Sequence, residues 1–450
     1  MRLHPPYAKR RLARALAAAL TAGALLHSGG AAALGLMQAY EAAAVNDPTF
    51  QSAFQDAEAG KEYKALGRSA LLPNLSANYS ASRNHSDLTI GKSFSQPQYY
   101  SRSSSISLRQ PLFNLDALAR YKQGIAQSAY NEATFSGRTQ EMILRVTSAY
   151  IDALFSQEQL RLAQAQRDTL VEQRKVNDRL FAGGEGTKTD SLETQARLDL
   201  SEAQVLEAQD NLQTQRATLA ALIGAEVDTL DGLKPEFRFL AMPEGGFEGW
   251  RQLALERNPE LLAQNFAIDS ARQEVNKSRA GHLPRVDFVG TYSKGNSETL
   301  NTYNQESTTR AIGIQVSVPL YSGGQVSASS RQAVASLEKA RAELQAKIDK
   351  TLVDLRKQYA AVSSGMARIQ ALDKAVSSGK LLVTATEQSI KGGVRINLDL
   401  LNAQQQLYTS TRDLAQARYT YLLGMLKLRA GAGILGAGDV SEVAEYFVKR

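Results

Sequence analysis

Phe181-Ala-Gly-Gly-Glu-Gly-Thr-Lys-Thr-Asp190-Ser-Leu-Glu-Thr-Gln195 has a partner further down the chain, Ile390-Lys-Gly-Gly-Val-Arg-Ile-Asn-Leu-Asp399-Leu-Leu-Asn-Ala-Gln404. A shift of 209 positions lays Gly183 and Gly184 on Gly392 and Gly393, Asp190 on Asp399, Leu192 on Leu401 and Gln195 on Gln404. Each stretch is a paired-glycine break between two long polar–apolar helical runs. In each, an aspartate stands near the start of the second run.

Other landmarks repeat in the same order. Pro48 and Pro259 lie 211 apart, as do Pro73 and Pro284 in Leu-Pro-Asn-Leu and Leu-Pro-Arg-Val. Gln110-Pro-Leu-Phe113 and Val318-Pro-Leu-Tyr321 are offset by 208. A period near 210 is far above that of solenoid repeats and marks a duplicated half-molecule.

Each half follows one plan. A helix comes first, Leu36 to Ala70 and then Phe247 to Ala280, and Leu-Pro ends it. Two alternating segments follow. Leu75, Ala77, Tyr79 and Ala81 alternate with serines and Asn78; Ile106 and Leu108 alternate with Ser105, Ser107 and Arg109. In the second half Val286, Phe288, Gly290 and Tyr292 share a face, as do Ile312, Ile314, Val316 and Val318. Polar loops are expected over 87–98 and 294–309. Taken alone, the alternation fits either a half-buried soluble sheet or the apolar-out strands of a membrane barrel. Aromatics at the segment ends, Tyr99, Tyr100, Phe113 and Tyr321, favour the barrel because Tyr and Phe suit the lipid interface.

Proline-free runs from Asp116 to Phe181 and from Val326 to Ile390 come next. A helix of that size is roughly 100 Å long, too long for a globular core. Val334, Arg341, Ile348, Leu355, Val362, Ile369, Val376, Val383 and Ile390 repeat every seven residues, a coiled-coil stripe broken by Arg341. Val146, Ala153 and Leu160 form a patchier one in the first half. After the glycines, returning helices carry Leu198, Val205, Leu212 and Leu219, matched by Leu407, Leu414, Tyr421 and Leu428. Segment 225–246 and the tail from Gly431 read as connectors at the far end of the hairpins.

The first residues read as a secretory leader. Arg2, Lys9, Arg10, Arg11 and Arg14 precede a short apolar run, Ala15 to Leu26, and Ala31-Ala-Ala33 offers a small-residue cleavage site. Without those five charges the formal net charge falls from +7 to +2, which argues against a nucleic-acid binder. With no cysteine, the chain holds itself by packing and carries no lipid-modified cysteine. The expected organisation is a leader at 1–33, a first repeat at 34–230, a connector at 231–246, a second repeat at 247–433 and a tail at 434–450.

Four strands cannot close a barrel, and an open edge in lipid leaves backbone groups unsatisfied. Three copies give about twelve strands and twelve helical tracks, the smallest ring that leaves a lumen. The expected fold is therefore mixed: a membrane β-barrel continued by an α-helical barrel, internally duplicated, closing as a homotrimer. An enzyme is not expected. Outside the leader only His85 and His282 remain, so no metal cluster of usual spacing is available. Gly184-Glu-Gly-Thr-Lys-Thr189 lacks the order of a phosphate loop, and no cofactor is implied.

The leader, Asn-Asp-Pro, Leu-Pro-Asn-Leu, Pro-Leu-Phe/Tyr and the Gly-Gly turn with its downstream aspartate together resemble the TolC family of outer-membrane efflux proteins. The likeness spans essentially the whole mature chain. It implies a trimeric outer-membrane barrel, a periplasmic tunnel, a periplasmic membrane-fusion adaptor and an inner-membrane exporter. It also implies a gate at the tunnel tip. Asp399 matches the first aspartate of a cation-selecting ring, Arg395 the basic gate residue, and Thr189 and Asp190 its link partners. The second ring aspartate falls on Asn402, a departure that implies one acidic ring, weaker cation selectivity and weaker divalent block. Read locally, the two aspartates are first-turn acids that complement a helix N-terminus, and Arg395 is a solvated turn residue. The mature start, Leu34-Gly-Leu-Met-Gln-Ala-Tyr-Glu41, is similar to the branch serving ABC exporters in type I protein secretion. A multidrug or metal efflux duct of the same architecture is the alternative.

Overall fold

The structure is a computed structural model that describes residues 33–242, 245–299 and 302–448. The leader lies outside these residues except for Ala33. None of the described helices is long and apolar enough to cross a membrane.

The chain opens with α1 (Leu36–Asn46) and α2 (Pro48–Ser69). The single helix expected over 36–70 is thus two helices. Pro48 occupies the first helical position, where its missing N–H costs nothing, and it forces Asp47 into an extended conformation. The Asp47 carboxylate then caps α2 by accepting from Thr49 N at 2.9 Å. The second half corrects in the same way. There α5 (Gly246–Arg257) and α6 (Pro259–Ala280) meet at Asn258, whose side-chain oxygen accepts from Glu260 N and Leu261 N.

Asp47 is buried and also pairs with Arg145. Burial works to raise its pKa, but the Arg145 guanidinium and the Thr49 and Phe50 amides outweigh it and hold the carboxyl below its ordinary value. A carboxyl depressed in the folded state stabilises above its unfolded pKa, ~3.9, and loses that contribution as pH falls through the folded value. Asp47→Asn is expected to cost about 1–3 kcal/mol at pH 7 and to flatten the acid side of a thermal-melt pH profile.

Between the helices lie β1 (Asn74–His85), β2 (Leu88–Ile90), β3 (Ser93–Ser95) and β4 (Gln98–Phe113), and in the second half β6 (Arg285–Thr299) and β7 (Thr302–Ser317). The main sheet is antiparallel in the order β1-β4-β6-β7, so β4 joins the two halves and β1 and β7 are its edges. One face carries Leu75, Tyr79, Ile106, Ile312 and Ile314. The other carries a serine ladder, with Ser76–Ser107, Ser80–Ser103 and Ser82–Ser101 hydroxyl contacts at 2.7–2.8 Å. On the apolar face Tyr79 is 71% and Ile312 84% exposed. A contiguous apolar face left so open favours the barrel reading of the alternation, because a sheet that closes its own soluble core would cover it.

The loops expected over 87–98 and 294–309 are also corrected. The first holds the β2–β3 hairpin, and the second is almost entirely strand. The ladder continues past the apolar residues because cross-strand pairs such as Lys294–Glu306 support it there.

Two long hairpins leave the sheet. The first comprises α3 (Leu115–Ala182) and α4 (Lys188–Ile223), the second α7 (Gln325–Lys391) and α8 (Asn397–Gly431). At 68 residues α3 is roughly 100 Å long. Early in its course α2 lies so close that a Cβ on Gly67 would sit 2.7 Å from the Arg120 carbonyl oxygen. Of the heptad stripe on α7, Leu355, Val362, Ile369 and Val376 are buried, while Arg341 is exposed. The α4 stripe of Leu198, Val205, Leu212 and Leu219 is buried throughout.

The presumed connectors turn out to be structural. β5 (Gly232–Leu233) pairs with β8 (Phe447–Val448), and α9 (Ala437–Ala444) packs beside them. Leu230, Leu240, Val440, Val443 and Phe447 join Tyr150, Trp250, Tyr421 and Leu428 in the largest buried cluster. The Tyr150 hydroxyl donates to Leu34 O at 2.8 Å, and Leu240 N donates to the Tyr421 hydroxyl at 3.1 Å. Burial pushes the Tyr421 hydroxyl up to about 12, so it is neutral at physiological pH. This cluster clasps the helices near mid-length.

Candidate functional site at the hairpin tips

Both turns fold by one backbone device. Gly184 and Gly393 adopt φ values of 77° and 71°, a left-handed region that glycine enters without steric cost. Gly183 and Gly392 close the preceding helices as C-caps. In the first turn Glu185 N and Gly186 N donate to Leu180 O; in the second, Val394 N donates to Ser389 O.

The next helices begin differently, and the difference separates the two aspartates. In the first hairpin Thr187 is the N-cap. Its hydroxyl accepts from Asp190 N, while the Asp190 carboxylate receives the Thr187 amide at 3.3 Å and its hydroxyl at 2.5 Å. Asp190 is thus engaged in capping. The repeat places Ile396 where Thr187 stands, and Ile396 offers no side-chain cap. Asp399 is therefore free of that duty. Its carboxylate faces Arg395 at 3.9 Å, with both side chains well exposed. Thr189 is exposed on the first turn of α4. Within one chain the structure brings Arg395 to Asp399, not to Thr189 or Asp190.

Asn402 meets a residue that sequence reasoning missed. Arg197, on α4, donates to Asn402 Oδ1 at 2.7 Å and to Leu401 O at 3.4 Å. A cation of the first hairpin thus holds the Asn402 side-chain amide of the second.

A buried polar network lies just behind. Thr194 is fully buried, and its hydroxyl accepts from Asn177 Nδ2 at 2.8 Å and Asn397 Nδ2 at 3.2 Å while donating to Asp190 O at 2.8 Å. Gln173 Nε2 donates to Asn177 Oδ1 at 3.2 Å and Asn397 Oδ1 at 3.0 Å. The one donor and two acceptor sites of the threonine hydroxyl are all used. Leu170, Leu198 and Leu401 form a small apolar cluster beside it. The network ties α3, α4 and α8 together. The repeat places Thr386 opposite Asn177 and Ala403 opposite Thr194, and alanine has no group for such a link. Asn177, Thr194 and Asn397 are polar residues at core-facing heptad positions, and that was the available signal.

Of the predicted interfacial aromatics, Tyr100 lies on the apolar face of the sheet and Tyr99 on the face of Asn84 and Ser101. Phe113 is half exposed at the end of β4, and Tyr321 is exposed beyond β7.

Two segments of the chain, 39–225 and 250–433, match the outer membrane efflux protein family. The alkaline protease secretion protein AprF of Pseudomonas aeruginosa is 44% identical over 422 residues, covering 92% of this chain and 88% of the relative. The proteases secretion protein PrtF of Dickeya chrysanthemi is 38% identical over 444 residues, 96% of either chain. The Campylobacter jejuni CmeC outer membrane channel shares the fold with a TM-score of 0.76 at 16% identity, over 92% of this chain and 90% of that one. With two matched segments that mirror its internal repeat, this chain belongs to the outer membrane efflux protein family.

Proposed function

We propose that the chain is the outer-membrane exit duct of a type I protein secretion machine. The observation that carries this reading is near full-length identity of 44% and 38% to two protease secretion proteins. The geometry supports it. The uncovered apolar sheet face suits lipid, and two open strand edges call for neighbouring copies. Three copies close about twelve strands into a barrel and their long helices into a periplasmic tunnel. Residues 1–33 act as the export leader and are removed.

At the tunnel tip three Asp399 carboxylates form one cation-selecting ring, and Arg395 supplies the charge that links neighbouring chains when the gate is closed. The first hairpin, locked internally by Asn177 and Thr194, is the fixed one. The second, with Ala403 in place of that lock, moves. The duct is a passive conduit, opened by a periplasmic adaptor and an inner-membrane ABC exporter, and the exposed Val394 and Ile396 at the moving tip give them an apolar handhold.

In-cell cross-linking from cysteines placed at Val394 tests the reading. An adaptor recovered together with an ABC exporter is the expected product. A proton-driven drug or metal transporter recovered in its place would favour the multidrug or metal efflux alternative.

A further inference from the structure

The apolar face of the sheet ends in four basic residues, one on each strand: Arg83 on β1, Arg102 on β4, Lys294 on β6 and Arg310 on β7. All four are exposed. Their register forms a regular stair. Arg102 lies opposite Ala81, Lys294 opposite Ser104, and Arg310 opposite Tyr292. Each step therefore drops two residues toward the helices, about 7 Å along strands that are about 4.8 Å apart.

The apolar belt slides in the same sense. Leu75, the lowest apolar residue of β1, shares a row with Leu108, Gly290 and Ile312, and Ile312 is the highest of the β7 run Ile312, Ile314 and Val316. Belt and stair slope together. That slope is about 56° from the perpendicular to the strands, so in a barrel whose strands tilt by about 35–45° it comes within about 10–20° of level. The four cations thus form one arc of a horizontal collar, at the upper rim of the lipid-facing belt.

The collar is built, not incidental. Arg83 lies over the Tyr100 ring and Arg310 over the Tyr292 ring, each 5.7 Å from the centroid. These tyrosines mark the level of the lipid interface. Lys294 pairs with Glu306, and Asp87, just past the end of β1, lies beside His85. Among the described residues Arg83, Arg102 and Arg310 have no carboxylate partner, and Arg83 donates to the neutral Gln98 Oε1 at 2.9 Å. The reverse face at this level carries Ser82, Asn84, Ser101 and Ser103, so the positive charge sits on the lipid side alone.

We propose that Arg83, Arg102 and Arg310, with Lys294, form a collar that binds the phosphate groups of anionic lipid headgroups in the outer leaflet of the outer membrane. The arginine fork matches phosphate geometry, and a headgroup phosphate sits at this boundary between apolar and aqueous layers. The inference rests on the barrel reading above.

The test is the affinity of the purified full-length trimer for bisphosphorylated lipid A, measured in detergent against the same lipid with both phosphates removed. The expected preference for the phosphorylated form is about tenfold or more. It should fall to about twofold or less in an Arg83→Gln/Arg102→Gln/Arg310→Gln variant, survive in the matching triple lysine variant, and weaken as NaCl rises from about 50 to 500 mM. Equal affinity for the two lipids, or an undiminished preference in the glutamine variant, overturns the collar. Should the glutamine variant not assemble, the salt dependence of the wild type and the lysine variant decides: a salt-insensitive preference overturns the proposal. A wild-type protein that forms no channel in a bilayer overturns the duct reading, and the collar with it.

Discussion

Replacing Asp399 with Asn abolishes cation preference in a planar bilayer. In the proposed trimer Asp399 is the acid of the gate ring, because Asp190 is engaged in its capping box and Asn402 carries no charge. Three carboxylates around a narrow lumen focus a negative potential that admits cations and rejects anions. Under a tenfold KCl gradient the wild-type reversal potential should lie on the cation side, toward the ~59 mV of an ideally selective monovalent pore. The Asp399→Asn value should fall to within about 10 mV of zero. An unchanged reversal potential contradicts the assignment. The converse change, Asn402→Asp, should add less selectivity than a second free ring would. Arg197 already donates to that side chain at 2.7 Å and would neutralise much of the new charge.

Asn397→Ala should raise resting single-channel conductance several-fold. Asn397 is the residue of α8 that reaches the network on α3 and α4, through Thr194 and Gln173. Its loss leaves buried partners with unmade hydrogen bonds, at a cost of about 1–3 kcal/mol to the hairpin arrangement described above, which we propose is the closed one. That is a shift of about 5- to 150-fold in a closed–open equilibrium. The exposed Arg395–Asp399 pair within the chain contributes at most about 1 kcal/mol, so it cannot compensate. Thr194→Val should have the larger effect, since it removes both the tether and the internal lock of the first hairpin. Closed-state currents identical to wild type in both variants would show that the network does not hold the gate.

The duplication was legible because glycine pairs, prolines and heptad leucines recur at nearly one offset. The long helices were legible because nothing interrupts them. Where the reading failed, it failed locally. The breaks at Asp47 and Asn258 escape the sequence reading because Pro48 and Pro259 serve there only as repeat landmarks, and their fitness as first helical residues goes unused. The upper halves of β6 and β7 were taken for loop because their apolar alternation stops at Tyr292 while the backbone ladder continues. The clasp at mid-length was missed because β5 and β8 are two residues each and exist only through pairing across more than 200 positions. At the site, the aspartates stand out by repeat and Arg395 by the family resemblance alone, while the different duties of the two aspartates follow from Thr187 against Ile396. The Gln173–Asn177–Thr194–Asn397 network was invisible to a search for apolar stripes.

In the proposed function this chain is the outer-membrane duct through which an exported protein leaves the cell. A bacterium lacking its own duct, but carrying a protease-exporting ABC transporter and its adaptor, provides the most direct measurement. Expression of this chain should restore protease activity in the culture medium without leakage of periplasmic marker enzymes. Protease retained inside the cell, while drug resistance alone is restored, would contradict the account.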